Sequence, residues 1–526
     1  MQRKDTIDAI QQRGDDPYDF LIIGGGSTGL GVAMDAISRG YSVLLLEQSD
    51  FAKGTSSRST KLAHGGVRYL AQGDLALVLE ALKERGLMLR NAPHLVSNQS
   101  FIIPIYSTRD RFKYTAGLKL YDLMAGRLSF GKSTFIDRDE TLRRLPTIAG
   151  EGLKGGVVYQ DGQFDDARLA LQIAMSCIDA GAHMLNYAKV ESLVKSDHGR
   201  VEGLTFSDIE TGNLFHVKGR AVINATGVFS DDILRMDNPN APKSIVPSQG
   251  IHLVISRAFS PGEDALMIPE TSDGRVLFAV PWYDKLVLGT TDTLRPEPTM
   301  EPKPLEKEIE FILETASEYL LKPPTRSDVL SIYAGLRPLA APQANGGSTK
   351  EISRSHKIII SDSKLITITG GKWTTYRKMG EDTVSKAIDV AALMPRKSQS
   401  ADMRIRGFTE HVDQTSHLGV YGSDQSALQA LIDSDPRWQE RLHKDYPYQV
   451  GQVIWAIRHE MARKIEDVLS RRIRILFLDA EAALEMAPKV AEVMAEELKR
   501  DKNWVTSELK SFNQISQNYL IDIPQI

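Results

Sequence analysis

The sequence predicts an α/β protein with a separate strand-rich region and a helical C-terminal part. Residues 18–47 run as an apolar segment, a glycine turn, a helical segment and a second apolar segment, which is the order of a β-α-β unit. Residues 245–295 hold several short apolar segments that polar turns separate, as in neighbouring strands. Beyond residue 404 the apolar residues recur at helical spacing.

The composition sets limits on the kind of protein. The chain has 526 residues, 42% of them hydrophobic and 25% charged, so we expect two or three globular domains. A net charge of −4 gives no reason to expect a nucleic-acid partner. The single cysteine, Cys177, excludes an internal disulfide and a cysteine-based metal site, and helical spacing predicts that it is buried. A polar N-terminus and the absence of a long apolar run predict an intracellular protein without a membrane span.

The first glycine turn indicates a dinucleotide site. Gly24-Gly25-Gly26-Ser27-Thr28-Gly29 matches G-x-G-x-x-G between a strand and a helix. Gly24 permits the turn, Gly26 lets the backbone approach a pyrophosphate, and Gly29 allows the helix to pack on the strand. Ser27 and Thr28 start the helix, where free N–H groups favour anions. Glu47, 18 residues past Gly29, stands where a ribose-binding acid is expected, so the ligand is FAD or NAD.

Two further glycine segments lie far along the chain. Asn224-Ala225-Thr226-Gly227 ends a predicted strand, and TGGKWTT at residues 369–375 precedes a predicted helix. Free N–H groups at such a helix start can stabilise negative charge on a ligand, for instance at the far end of FAD. Each segment alone is equally consistent with an ordinary turn. After this region, residues 394–404 are predicted as a linker, and IWAIRHEMARKIEDVLSRR as an amphipathic helix.

These motifs together resemble one family. The first glycine turn, TSSRSTKLAHGGVRYL, NATG, LFAVPWYDKLVLGTTD, YAGLRPL and TGGKWTTYR occur in this order, as in the aerobic, membrane-associated, FAD-dependent glycerol-3-phosphate dehydrogenases. That family belongs to the D-amino-acid-oxidase-like flavoproteins. The resemblance implies a doubly wound FAD-binding domain interleaved with an antiparallel substrate sheet, followed by a helical C-terminal domain. The implied boundaries are an extension at 1–17, a main body at 18–395 with cofactor parts 18–97, 148–245 and 330–395 and substrate parts 98–147 and 246–329, and the helical domain at 396–526.

The resemblance also implies a reaction and a cofactor site. sn-Glycerol 3-phosphate is oxidised to dihydroxyacetone phosphate, non-covalently bound FAD takes the hydride, and a membrane quinone takes the electrons. The implied cofactor-binding residues are Gly24, Gly26, Ser27, Thr28, Gly29, Glu47, Thr55, Ser56, Ser59, Lys61, Thr226, Gly227, Gly371, Lys372 and Thr374.

A phosphorylated substrate needs fixed cations, because planar guanidinium groups hold a phosphate in one orientation. Arg337, Arg354 and Lys372 lie on or near the matched motifs, and Arg68 and Tyr69 follow the Gly-Gly pair. Isolated arginines are more often solvated or ion-paired, and Arg337 departs most from that expectation because apolar residues flank it.

Oxidation at C2 also needs a base for the hydroxyl proton, and histidine suits neutral pH. His64, before Gly65-Gly66, is ranked first. His252, on a predicted strand, is the rival, although a strand histidine is more often a core residue. We predict that Arg337 and Lys372 also take part in catalysis, beside the histidine that serves as the base.

Several alternatives stay open at this stage. A soluble oxidase that passes electrons to oxygen would carry the same motifs, and a flavin-binding scaffold without turnover is a second alternative. An amino-acid oxidase is less favoured, because a carboxylate substrate needs fewer cations than the matched motifs provide. The sequence also leaves open a homodimer and the choice of quinone.

A membrane-contacting segment is predicted at residues 104–132. It carries six cations and two acids among large apolar residues, which suits the headgroup region of an anionic bilayer. The alternative is a helix packed on the body with a basic outer face. With a quinone acceptor, the expected location is the cytoplasmic, inner face of the cell membrane.

Overall fold

A mixed sheet with a parallel centre and a larger, mostly antiparallel sheet form the framework of the main body. The computed structural model describes residues 3–66, 74–272, 274–341, 356–413 and 415–522. The strands are β1 (Tyr18–Ile23), β2 (Val43–Leu46), β3 (Leu62–Ala63), β4 (Val96–Ile105), β5 (Thr134–Asp137), β6 (Gly155–Phe164), β7 (His183–Leu185), β8 (Ala188–Lys195), β9 (Val201–Asp208), β10 (Leu214–Asn224), β11 (Ile245–Ser256), β12 (Ala265–Ile268), β13 (Leu277–Trp282), β14 (Lys285–Gly289), β15 (Thr293–Leu294), β16 (Val329–Ala340), β17 (Lys357–Ile360) and β18 (Ile366–Thr369).

Helices cover both sheets and build the C-terminal region. The α-helices of the described residues span Arg3–Arg13, Ser27–Ser38, Leu75–Asn91, Thr108–Ala125, Arg138–Arg144, Asp166–Asp179, Ser230–Asp237, Glu306–Tyr319, Tyr376–Ala391, Gln425–Asp433, Val450–His459, Ile475–Leu478, Ala480–Leu498 and Lys502–Ser516.

The first sheet brings the sequence motifs to one edge. Its strand order is β17-β18-β10-β1-β2-β7, and β1 runs parallel to both β2 and β10. The apolar residues of β1 are buried on both faces, as expected for a central parallel strand. Because β1, β2, β10 and β18 are parallel, their carboxyl ends lie together, and these are the ends that lead into the glycine turns and Glu47.

The strand that ends at NATG, β10, changes its pairing partner along its length. β10 pairs with β9 over Leu214–Lys218 and then with β1 from Gly219 onward. Separate apolar segments in the sequence therefore reflect a change of pairing partner along one long strand.

The second sheet has the order β15-β11-β14-β13-β12-β4-β6-β3, with β16 on β11 and β5 on β6. Most of its pairs are antiparallel, as predicted for residues 245–295. The partition of the main body differs from the predicted one, because β3, β6 and β16 come from segments assigned to cofactor binding. Long-range pairing explains the difference: β6 pairs with β4 over its full length, and β16 pairs with most of β11.

The C-terminal helices surround an apolar cluster that includes Val453, Leu476, Met486 and Val490. The cluster also contains Val254, Trp282, Val287 and Tyr333 of the second sheet, so these helices pack on the main body. The predicted helix IWAIRHEMARKIEDVLSRR is wrong in its length, since the α-helix ends at His459 and a π-helical turn begins at Asp467. Tertiary contacts account for the break. The Glu460 carboxylate binds Arg168, and the Met461 carbonyl accepts a hydrogen bond from Asn186.

The predicted linker at 394–404 packs against the main body. The Ser400 side chain is buried and donates a hydrogen bond of 2.7 Å to Asp35 Oδ1. The segment therefore fixes the helix Ser27–Ser38 as well as joining two parts of the chain.

Candidate active site

A cavity of about 760 Å³ lies at the carboxyl edge of the first sheet and is also lined by residues of β11 and β16 in the second. Its size falls in the usual range for cofactor and substrate sites. The predicted site residues that line it are Gly24, Gly26, Ser27, Thr28, Glu47, Thr55, Ser56, Ser59, His64, Thr226, Gly227, His252, Arg337, Gly371, Lys372 and Thr374.

The first glycine turn has the backbone that a pyrophosphate site requires. Gly24 has a φ of +108°, and a Cβ atom there would lie 2.7 Å from the Ala225 carbonyl oxygen. Gly26 is the N-cap residue of the helix Ser27–Ser38, and it has no side chain that could accept a hydrogen bond from the helix. Backbone N–H groups of the first helical turn therefore remain available to a ligand. Gly29 lies against the Gly24 carbonyl, behind the cavity lining, and there it allows the close packing of helix and turn.

Glu47 follows β2 and holds the turn in place. One carboxylate oxygen accepts a 2.7 Å hydrogen bond from Gly25 N–H and the other accepts a 2.8 Å bond from Ser49 N–H. Burial raises the pKa of Glu47, and these two backbone bonds oppose that shift. The carboxylate also lines the cavity, where its remaining lone pairs can accept from ribose hydroxyls.

The segment after β2 brings hydroxyl groups to the cavity wall. Ser56 Oγ accepts a 2.9 Å hydrogen bond from Ser27 N–H, which joins this segment to the glycine turn. Thr55 Oγ1 donates to the Leu336 carbonyl of β16. Ser59 and its neighbour Thr60 also line the cavity, so this segment lies between the two sheets.

Lys61 differs from the prediction that it lines the cofactor site. Its side chain is fully buried, and Nζ donates to Asp166 Oδ2 at 2.8 Å and to the Ser57 carbonyl at 2.7 Å. Burial lowers the pKa of Lys61 to about 7, while the Asp166 carboxylate acts in the opposite direction. Lys61 therefore supports the cavity wall from behind.

The second glycine turn, TGGKWTT, reaches the same cavity from β18. Gly370 and Gly371 have φ values of +73° and +77°, and the helix Tyr376–Ala391 follows shortly after. Thr374 Oγ1 lies 3.4 Å from the His64 carbonyl oxygen, and Lys372 lines the cavity beside it. The turn therefore brings N–H groups, a hydroxyl and a cation near His64.

Arg337 projects from β16 over a gap in β11. Its guanidinium donates to the Thr291 carbonyl at 3.1 Å and to Thr290 Oγ1 at 3.2 Å. A Cβ atom on Gly250 would lie 2.4 Å from Arg337 Nη2, so the absence of a side chain at Gly250 makes room for the cation. The Arg337 side chain is 30% exposed and lines the cavity, and its Nη1 lies 3.6 Å from Asp292 Oδ1. The expectation that Arg337 departs from an ion-paired arginine is therefore wrong, although a guanidinium at this position still suits recognition of an anionic group.

The two candidate histidines have different surroundings. His64 is partly exposed on the cavity wall. His252 is buried, its Nε2 lies 2.9 Å from Thr60 Oγ1, and its ring stacks on Tyr333 with centroids 4.8 Å apart. Burial, with the charges of Lys61 and Arg337, holds the pKa of His252 well below its usual range. Both histidines line the cavity, so the ranking of His64 as the proton acceptor stays a prediction.

Arg68, Tyr69 and Arg354 lie outside the described residues, so their assignment to the substrate site stays a prediction. Many other residues that sequence reasoning did not name also line the cavity, and Thr60, Gly250 and Trp373 are three of them. Each lies within three residues of a named candidate, so closer attention to neighbours of the motifs would have found them.

The residues present fit FAD. The cavity joins an uncapped helix N-terminus and a ribose-binding acid to a second glycine turn, with the substrate candidates beside that turn. An elongated dinucleotide needs such a series of separate contacts. Cys177 is buried in the helix Asp166–Asp179, as predicted, and is absent from the lining.

Comparison with known protein families identifies the two parts of the chain. Residues 19–377 match the family described as FAD dependent oxidoreductase, and residues 363–504 match the C-terminal domain of alpha-glycerophosphate oxidase. The first match covers more than half of the chain.

Individual relatives agree with these matches. The chain is 39% identical to a probable mitochondrial glycerol-3-phosphate dehydrogenase of Caenorhabditis elegans, over 97% of this chain and 74% of the relative. It is 38% identical to the mitochondrial glycerol-3-phosphate dehydrogenase of Arabidopsis thaliana, over 96% and 86% of the two chains. The structure resembles that of the Bacillus halodurans glycerol-3-phosphate dehydrogenase in complex with FAD, with a TM-score of 0.81, 29% identity, and coverage of 100% and 99%.

The predicted fold class and the predicted use of FAD are therefore confirmed. The family match over residues 19–377 and the 39% identity to a relative of which the chain covers 74% show that the chain belongs to the FAD-dependent glycerol-3-phosphate dehydrogenase family.

Proposed function

We propose that this chain oxidises sn-glycerol 3-phosphate to dihydroxyacetone phosphate. One observation carries the proposal: a single cavity joins the dinucleotide-binding turn to a partly exposed histidine and to two cations, Arg337 and Lys372. The relatives named as glycerol-3-phosphate dehydrogenases support the choice of substrate.

We assign a separate role in the reaction to each of these side chains. FAD, when bound, accepts the hydride that leaves C2 of the substrate. His64 accepts the proton of the C2 hydroxyl as the C–O bond becomes a carbonyl, which balances the loss of two electrons and two hydrogens from the substrate. Arg337 binds the phosphate, and its contacts with Thr290 and Thr291 fix the direction of the guanidinium. Lys372 supplies a second positive charge to the same anion.

We further propose that the electrons pass to a membrane quinone, with the protein on the inner, cytoplasmic face of the cell membrane. An oxidase that uses oxygen is the competing proposal. A comparison of oxygen consumption with reduction of a soluble quinone analogue, both driven by glycerol 3-phosphate, separates them. Quinone reduction that greatly exceeds oxygen consumption supports the dehydrogenase, and the reverse ratio supports the oxidase.

The purified protein is expected to be yellow and to carry one non-covalent FAD. The glycine turn, Glu47 and the second glycine turn all line one cavity that suits the whole cofactor. Denaturation followed by filtration should release all of the flavin, identified by its absorbance and by chromatography against FAD and FMN standards. Flavin that stays with the denatured chain would contradict the non-covalent assignment.

The structure supports membrane contact through residues 104–132. Leu118, Tyr121 and Ala125 of the helix Thr108–Ala125 are buried against the body, while Phe112 is 72% exposed and Leu123 is 77% exposed. Leu75 and Leu79 of the helix Leu75–Asn91 add exposed apolar surface, and the two helices pack on each other through a shared apolar cluster. No described helix has the length and apolarity to cross a bilayer. Exposed apolar residues beside cations fit contact with the headgroup region.

Changing Arg111, Lys113 and Lys119 together to glutamate is expected to move the protein from the pellet to the supernatant when anionic vesicles are sedimented. All three side chains are exposed, and each cation near an anionic surface contributes on the order of 1 kcal/mol at low salt. Quinone reduction in membranes should fall, while flavin reduction by glycerol 3-phosphate should not change.

In a matched control, three exposed lysines of the C-terminal region are changed to glutamate: Lys444, Lys502 and Lys510. The net charge changes by the same amount as in the first variant. This control should still sediment with vesicles. Equal release of both variants would show that net charge alone decides binding, and full retention of the first variant would remove this segment from the membrane contact.

A further inference from the structure

A buried cluster of charges lies behind the cavity wall at Ser59 and Thr60. The carboxylate of Asp166 is fully buried and binds two cations: Lys61 Nζ at 2.8 Å and Arg474 Nη2 at 2.9 Å. Arg474 also lies 3.4 Å from Asp165, so two carboxylates balance two cations. The side chains of Lys61 and Arg474 are packed among the rings of Trp282 and Phe477.

This cluster holds the backbone of the cavity wall. Asp166 Oδ2 accepts a 3.0 Å hydrogen bond from Ser59 N–H and a 2.7 Å bond from the Ser59 hydroxyl. The Ser57 carbonyl accepts from Lys61 Nζ at 2.7 Å and from Arg474 Nη2 at 3.2 Å. Asp166, Lys61 and Arg474 therefore all bind within residues 57–61, the segment that places Ser59 and Thr60 on the cavity.

Arg474 is the member that the C-terminal region contributes. Its backbone is left-handed, with a φ of +64°, and Nη1 donates to the Ser470 carbonyl at 2.7 Å. The Ser470 bond holds one end of the guanidinium, and Nη2 at the other end donates to Asp166 Oδ1 at 2.9 Å. Neighbours of Arg474 also bind the residues that precede the segment 57–61. Glu466 pairs with Lys53 at 2.7 Å, and Arg472 pairs with Asp50.

We propose that Arg474 is a positioning residue for the active site: through Asp166 it fixes Ser59 and Thr60, and with them the wall against which FAD and substrate bind. The effect on flavin reduction rests on the proposed function, whereas the effect on FAD binding does not. The C-terminal domain would thus complete the active site without a side chain in the cavity.

The chain offers a matched control in Arg168. Arg168 and Arg474 are both buried, and each joins the main body to the C-terminal region through an ion pair, Arg168 with Glu460 at 2.8 Å. The hydrogen bonds of Arg168 do not involve residues 57–61. Both Arg474→Met and Arg168→Met should therefore lower the melting temperature, because the first removes one of the two cations that bind Asp166 and the second removes the cation that binds Glu460.

The test compares the two variants in three readouts: the FAD dissociation constant of the deflavinated protein, amide hydrogen exchange of residues 57–61, and the rate of flavin reduction at saturating glycerol 3-phosphate. Relative to Arg168→Met, Arg474→Met should raise the FAD dissociation constant and speed amide exchange at Ser59 and Lys61. It should also slow flavin reduction by roughly 10- to 100-fold, as expected when the reacting groups are displaced by about 1 Å. If Arg474→Met does not fold, Arg474→Lys takes its place, since lysine keeps the charge but cannot bind Asp166, Ser57 and Ser470 together.

Equal values for the two arginine variants in FAD binding and exchange would overturn the proposal and leave Arg474 a purely structural residue. If glycerol 3-phosphate does not reduce the flavin of the parent protein, the proposed function fails, and the first two readouts still decide the role of Arg474.

Discussion

Replacing His64 with asparagine is expected to slow flavin reduction by glycerol 3-phosphate by roughly 100-fold or more, because the C2 hydroxyl loses its proton acceptor. His64 is partly exposed on the cavity wall, whereas FAD and the phosphate have other residues to hold them. FAD content and substrate affinity should therefore change little. Anaerobic stopped-flow absorbance over a range of substrate concentrations measures the rate and the affinity separately.

His252→Asn is the control for this experiment. His252 is buried and stacked on Tyr333, so its replacement should lower stability more than the rate of flavin reduction. A large loss of rate in His252→Asn with a nearly normal His64→Asn would transfer the role of base to His252.

Arg337→Met is expected to abolish efficient use of the phosphorylated substrate. Loss of a charge-assisted contact to a largely enclosed anion costs about 2–5 kcal/mol of binding free energy, by analogy with truncated charge pairs at interfaces. The effect should fall mainly on kcat/KM for glycerol 3-phosphate, while FAD content stays near that of the parent.

Arg337→Lys is the matched control, since it keeps the charge and loses the planar fork. We expect an intermediate kcat/KM, together with an unchanged, low rate on unphosphorylated glycerol in both variants. Normal kinetics of Arg337→Met with glycerol 3-phosphate would remove this residue from the site.

Local patterns were sufficient to predict the first β-α-β unit and the positions of its glycine turn and of Glu47. The turn at Gly24 needs a positive φ, and Glu47 follows the next strand, so sequence spacing alone determines where both lie. Buried parallel strands such as β1 are continuous apolar runs, which also makes them easy to recognise.

Elements whose place depends on contacts between distant segments of the chain could not be predicted from the sequence. The family resemblance implied that residues 330–395 belong to a cofactor part, but β16 pairs with β11 in the second sheet. The helix after Val450 was expected to continue past His459, but Glu460 binds Arg168, almost three hundred residues away in the chain. No local signal reports such a contact.

The same limit applies to Lys61. A lysine within a polar, glycine-containing segment usually faces solvent or ligand, and the sequence contains no sign that Asp166 and Arg474 meet it. Their encounter needs the helix Asp166–Asp179 and the C-terminal region to be folded against the loop.

Anaerobic mixing of the purified protein with sn-glycerol 3-phosphate tests the central claim most directly. The visible absorbance of the bound flavin should bleach, with one equivalent of dihydroxyacetone phosphate formed per flavin, and unphosphorylated glycerol and the opposite enantiomer should have little effect. Bound flavin that stays oxidised with sn-glycerol 3-phosphate, or that bleaches with amino acids instead, would contradict the proposed function.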